Sequence, residues 1–296
     1  MLQLVLPVMP DVMPDVMPSV ALRLVLAALA PLLAETPSYQ PALASDAAIT
    51  LKSAWEPCRH SKYGLFAETD VLRAPKPAES SHTYAAAELA PFLPPAPVAV
   101  GATWSVPKDA VLTFLRQFHP SARAELHHGF GAAPGTFACL RAASAERLEI
   151  LFRAHAEFEL AGGVTYTPAQ FEGRLVLERA SGRPLALRIA LPDRDTNVDV
   201  NVPKDTQLEP GGPVQHTISA DIGWVPRMEL TSGAWPAVDW KSSISTDEAR
   251  ARLARCFYAF ARLEWLPFER AVQRSREAKK PLHLIVLFGT LDDESC

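Results

Sequence analysis

The stretch Leu148-Glu149-Ile150-Leu151-Phe152-Arg153-Ala154-His155-Ala156-Glu157-Phe158-Glu159-Leu160 has an apolar residue at every even position and mostly charged residues at the odd ones. Successive strand side chains point to opposite sides, so this alternation predicts one long strand with a buried face and a wet face. Working outward, the period of two returns at Phe171 to Glu178, at Leu185 to Leu191 with Arg188 outward, and at Val198, Val200 and Val202 against Asn197, Asp199 and Asn201. The breaks between them are short and rich in turn residues: Gly162-Gly163, Ser181-Gly182-Arg183-Pro184 and Asp193-Arg194-Asp195. Parallel strands need long crossovers, so such connections predict an antiparallel meander. A last strand is expected around Ile218 to Leu230. Just upstream, Pro107 followed by Val111, Leu112, Leu115 and Phe118 marks a short amphipathic helix ending near His119-Pro120.

Composition bounds the rest. A chain of 296 residues, 48% hydrophobic and 21% charged, has the make-up of a globular protein with one large or two modest cores, neither disordered nor multiply membrane-spanning. Its formal charge of −4 gives no global reason to expect nucleic acid as a partner. Proline is the outlier, at 27 residues, fifteen of them at or before Pro107. The segment 45–100 is therefore expected to be irregular, with a stiff linker at Pro91-Phe92-Leu93-Pro94-Pro95-Ala96-Pro97. Before it, Arg23 precedes the apolar run Leu24 to Ala34, too short to span a bilayer comfortably but suited to a signal peptide, with a small-x-small cleavage option at Ala42-Leu43-Ala44. Export, by a cleaved signal or an uncleaved single anchor within residues 1–44, is the expectation.

Several constellations in the sheet invite chemistry and fall short of it. His155-x-Glu157 resembles the opening of the deaminase signature, but the chain lacks the required Pro-Cys-x-x-Cys, and outward strand positions beside Arg153 explain the pair more simply. The run Asp193, Asp195, Asn197, Asp199 looks like a calcium loop until its sixth and twelfth positions, Val198 and Lys204, replace the required Gly and Glu. It reads as a strand edge guarded by charge. His127-His128 lacks a third ligand, and no metal site is expected. Trp55, Trp104, Trp224 and Trp235 read as packing residues. Of the cysteines at 58, 139, 256 and 296, Cys58 reads as an ordinary thiol or the disulfide partner of Cys139, and Cys256 as a core hydrophobe.

Chemistry points to the C-terminal end. Asp247 to Leu263 reads as a helix with acidic residues in its first turn, and a second helix follows from about Pro267 to Lys279-Lys280. After Pro281, Leu282-His283-Leu284-Ile285-Val286-Leu287-Phe288 has the pattern of a strand buried on both faces, and a polar loop then delivers Cys296. Helix, Lys-Pro, buried strand, short loop and cysteine is the opening of a thioredoxin-like domain, in which a helix N-terminus stabilises the reactive thiolate.

Trp265-Leu266-Pro267-Phe268-Glu269-Arg270-Ala271 and Leu291-Asp292-Asp293-Glu294-Ser295-Cys296 resemble the selenoprotein N family. So do Leu151-Phe152-Arg153-Ala154-His155-Ala156-Glu157-Phe158 and Asp221-Ile222-Gly223-Trp224-Val225-Pro226-Arg227-Met228-Glu229-Leu230, and the resemblance covers roughly Leu148 to Cys296. It implies that Ser295 and Cys296 belong to a Ser-Cys-selenocysteine-Gly redox motif, with selenocysteine encoded directly after Cys296 by a UGA read as stop. It also implies a thiol–disulfide oxidoreductase acting on a protein disulfide or a redox partner protein. Animal members are anchored in the endoplasmic reticulum membrane; a bacterial-type homologue would be periplasmic or membrane-anchored. The expected organisation is α+β: a signal or anchor region (1–44), the Pro-rich segment (45–100), an antiparallel sheet module (101–235), a helical connector (236–264) and a truncated thioredoxin-like start (265–296), inactive or nearly so in this form. A non-catalytic exported binding protein and a selenol-dependent peroxide reductase stand as alternatives.

Overall fold

The computed structural model describes residues 37–124, 135–194, 196–207, 214–258, 262 and 266–282. In chain order the strands are β1 (Ser38–Tyr39), β2 (Ala48–Trp55), β3 (His60–Ser61), β4 (Ser81–Ala85), β5 (Val98–Ala99), β6 (Thr103–Val106), β7 (Thr136–Ala143) and β8 (Arg147–Ala154). They continue as β9 (Phe158–Leu160), β10 (Val164–Pro168), β11 (Phe171–Glu178), β12 (Pro184–Ala190), β13 (Val198–Gln207), β14 (Val214–Trp224), β15 (Met228–Thr231) and β16 (Ser242–Ser243). Among the described residues, nine strands form a large sheet in the order β16-β7-β8-β11-β12-β15-β2-β4, with β6 sharing the β7 edge that β16 occupies. Five form a second sheet, β3-β14-β13-β10-β9. Every pairing is antiparallel, as short turns require, and the class is α+β.

The long strand expected at Leu148 to Leu160 is two strands in two sheets: β8 ends at Ala154, and β9 pairs with β10 in the second sheet. Between them Glu157 leaves the ladder to exchange backbone hydrogen bonds with Arg123. The last strand likewise divides into β14 and β15 around Val225-Pro226, where proline has no N–H to continue a ladder. The segment 45–100 is not irregular. It contributes β2, flanked by β15 and β4 inside the large sheet, with Ile49 and Leu51 buried and Thr50 and Lys52 exposed.

The principal core is aromatic. Trp55 of the large sheet meets Tyr166 of the second sheet edge-on at 5.2 Å, donates its indole N–H to the Tyr166 hydroxyl at 3.3 Å, and lies 6.1 Å from Phe158. The helix Ala110–Leu115 ends before the expected His119-Pro120; the expected Val111, Leu112, Leu115 and Phe118 are all buried, and Phe114 joins them. The opposite face of β7 and β8 is covered by the helix Thr246–Phe257, whose Ala249 and Leu253 pack on Cys139 and Leu151. This helix starts at Ser245, whose side chain accepts from Glu248 N at 3.0 Å, and ends at the extended Tyr258, short of the expected Leu263. A further helix, Phe268–Ala278, follows the expected one closely.

That cover overturns the expected wet face. Glu149 and Glu157 are 0% and 1% exposed, and Arg153 and His155 are buried with them. The guarded-edge reading of the acidic run also fails, because β13, which carries Asp199, is paired on both sides by β10 and β14. Cys58 and Cys139 are both free thiols rather than a disulfide.

Candidate functional site

Burying charged residues on a strand requires partners, and the large sheet provides them in register. Fully buried Glu149 of β8 takes Arg141 of β7 on one side and Arg174 of β11 on the other, the latter through Nε to Oε1 at 2.9 Å. Glu229 of β15 takes Arg188 of β12 at 3.0 Å and Arg227 at 2.6 Å. Burial pushes the Glu229 carboxyl up, but the hydrogen bonds from Arg227 and Arg188 outweigh it and hold the group below the usual carboxylate range. Charges therefore run across the sheet as Arg141, Glu149, Arg174, Arg188, Glu229, with Arg227 beside the last.

The alternation breaks in the middle. Arg174 and Arg188 face one another directly across β11 and β12. Each bonds a carboxylate on the strand away from the other. Like charges directly opposite in a sheet are unfavourable, and nothing in packing alone asks for two arginines here.

A cavity of about 450 Å³ opens at this break. Arg153, Arg174, Arg188 and Arg194 line it from the sheet side and its adjoining loop, and Arg250 of the covering helix closes the other side. Arg250 is fixed by a two-pronged pair with Glu172, Nε to Oε2 at 2.5 Å and Nη2 to Oε1 at 3.1 Å. Arg153 donates to the Tyr258 hydroxyl at 3.2 Å and lies against that ring. Arg174 lies 4.7 Å from the centre of the Trp235 ring, so that tryptophan caps a cation rather than simply filling space.

Two further residues shape the cavity. Gln170, the residue before β11, lines it while only 4% exposed, and among the described residues neither its amide nitrogen nor its amide oxygen has a hydrogen-bond partner. Asn197 ties the walls together: its side-chain nitrogen donates to Pro192 O at 3.1 Å and to Val225 O at 2.8 Å, while its oxygen accepts from Val225 N at 2.8 Å. Its own carbonyl accepts from Ala169 N at 2.8 Å. The sequence pattern places Asn197 in an acidic run and hides this role.

The residues singled out from sequence are not gathered here. Ser295 and Cys296, with the expected strand and loop before them, lie outside the described residues, as do His127-His128 and the apolar run Leu24 to Ala34. Glu157 is a structural carboxylate, bonded by Arg123 Nε at 2.9 Å and by the Thr167 hydroxyl at 3.3 Å. Among the described residues no group of side chains has metal-site geometry. Burial pushes the Cys139 thiol up to about 11, despite the opposing pull of Arg252, and so disfavours the reactive thiolate. Cys256 is only half-buried, contacting the Thr103 hydroxyl at 3.6 Å at the edge of the helix–sheet contact.

Among the described residues, fold and site together define an α+β protein of two large antiparallel sheets and a two-stranded one, β1–β5, the largest carrying an arginine-lined cavity under a helix. No protein-family model and no solved structure matches the chain. The chain is a distant relative of selenoprotein N. It is 28% identical to the mouse protein over 74% of this chain and 48% of that protein, 29% identical to the zebrafish protein over 75% and 48%, and 27% identical to the human protein over 74% and 45%. The chain thus spans about half the length of the curated relatives it matches.

Proposed function

We propose that the protein is a thiol–disulfide oxidoreductase of the selenoprotein N type, exported or membrane-anchored, in which Cys296 is a redox thiol. The observation that carries this reading is the similarity to selenoprotein N across three quarters of the chain, together with the Leu291 to Cys296 motif. A selenocysteine encoded after Cys296 would supply a group ionised near neutral pH, suited to attack on a disulfide. The selenolate would bond one substrate sulfur and expel the other as a thiolate; the Cys296 thiolate would then attack the selenium, expel the second substrate thiolate and leave an Se–S bond in the protein, which two equivalents of an external thiol would reduce. On this proposal the sequence 265–296 corresponds to the opening of a thioredoxin-like unit, with the described sheets as its scaffold and recognition surface.

Among the described residues no helix is long and apolar enough to cross a membrane. The export proposal therefore rests on Arg23 and Leu24 to Ala34. The functional proposal is tested by expressing the full gene with selenocysteine insertion and measuring turnover of a protein disulfide and of a peroxide. Disulfide turnover that disappears in C296S supports it. Peroxide turnover alone would favour the peroxidase alternative, and neither activity would leave the binding-protein alternative.

A further inference from the structure

Two features of the large sheet are unfavourable taken separately, and both open on one cavity. The first is the Arg174–Arg188 opposition, where the row of charges places two cations side by side with no carboxylate between their strands. The second is Gln170, buried with both amide atoms unsatisfied, which is uncommon because a buried polar group without a partner keeps its full desolvation cost. Local rules broken together at one place mark functional sites more often than structural ones.

We propose that this cavity binds a small organic anion, with a carboxylate or phosphate group seated between Arg174 and Arg188. An oxyanion there completes the alternation of charge, and guanidinium forks suit planar or tetrahedral oxyanions. Gln170 supplies one acceptor and two donors for a neutral polar group of the same ligand, such as a hydroxyl or amide. Arg250 of the covering helix, held by Glu172 of β11, closes the site, and Arg153 adds a buried cation on the sheet wall. A volume of about 450 Å³ lies within the usual range for small-molecule sites, roughly 300–1,000 Å³. Five arginines line the cavity against two carboxylates, Glu172 and Asp193, so its lining carries a net positive formal charge that favours an anion.

The test is titration of the full-length protein with citrate and, separately, inorganic phosphate, at ionic strength held constant with sodium chloride. Calorimetry and the thermal midpoint are both read. A saturable heat and a rising midpoint with citrate or phosphate, absent with chloride, are expected, and the stronger of the two identifies the headgroup class. In R188Q the affinity should fall at least tenfold. R250Q, altering another side chain that is half exposed, should weaken binding in the same direction if R188Q folds poorly. Q170M is the discriminating variant: it should raise the ligand-free midpoint, because an unsatisfied amide is removed at near-constant volume, and still weaken binding severalfold. Equal responses to citrate, phosphate and chloride would overturn the proposal, as would full binding in R188Q and R250Q, or a lowered ligand-free midpoint in Q170M. None of these residues belongs to the Ser295-Cys296 motif, so C296S should bind citrate normally, and this proposal and the redox proposal fail independently.

Discussion

Replacing Glu149 by Gln is the most direct perturbation of the buried charge row. Glu149 is 0% exposed, and the side chains of its partners Arg141 and Arg174 are 10% and 30% exposed. The amide keeps the shape but leaves two guanidiniums facing each other across a site with little water to screen them. Removing one partner from a buried ion pair typically costs about 3–5 kcal/mol, a large part of the roughly 5–15 kcal/mol that holds a domain folded. At about 2–4 °C per kcal/mol for a domain of this size, the midpoint should fall by ~6–20 °C. Glu229→Gln is the internal control, because Arg188 and Arg227 are each 50% exposed and can turn to water; its cost should be nearer ~1 kcal/mol. Urea unfolding of both variants at neutral pH reads the difference. Equal losses, or a loss below about 1 kcal/mol for E149Q, would show that Arg141 and Arg174 re-solvate freely and that the row is not buried in the energetic sense.

Three other predictions follow from the same geometry. A Cβ on Gly173 would overlap the ring of Phe152, its buried cross-strand partner, so G173A should cost about 1–3 kcal/mol in urea unfolding, and Phe152→Leu in the same chain should recover part of it; simple additivity of the two would argue against the overlap. Because the Glu229 carboxyl is held below its ordinary range when folded, its contribution is present at neutral pH and lost as pH falls through the carboxylate range, from about pH 5 downward; E229Q should flatten that part of the stability profile, and an unchanged profile would contradict the assignment. Iodoacetamide on the native protein should spare Cys139, whose thiol burial pushes up to about 11, until denaturant is added; peptide mass spectrometry showing Cys139 labelled as fast as a free thiol would remove it from the helix–sheet interface.

The strand period and the antiparallel connections are legible in the sequence because both are local. Phe171 to Glu178 is found where its alternation puts it, and the even positions of β8 face the main core. The other face is not legible, because its cover, the helix Thr246–Phe257, comes about a hundred residues later, and the partners that make Glu149 and Glu157 affordable inside come from other strands and a loop. Proline content hides β2, although Ile49 and Leu51 against Thr50 and Lys52 carry the period of two. The Arg174–Arg188 opposition does have a sequence signal. That signal is incomplete: the hairpin pairs Leu177 with Pro184, which alone would set Arg174 opposite Leu187, and a register shift between Val176 and Leu177 brings the two arginines face to face. Gln170 and Asn197 have no such signal, because their roles depend on which backbone groups the fold brings near them.

The redox reading turns on what the gene encodes after Cys296. Reading the codons beyond it, and following selenium in the expressed protein by mass spectrometry, tests the reading most directly. The proposal predicts an in-frame UGA decoded as selenocysteine, then a glycine codon and the remainder of a thioredoxin-like unit. An ordinary stop codon, or a continuation unrelated to that unit, would contradict it.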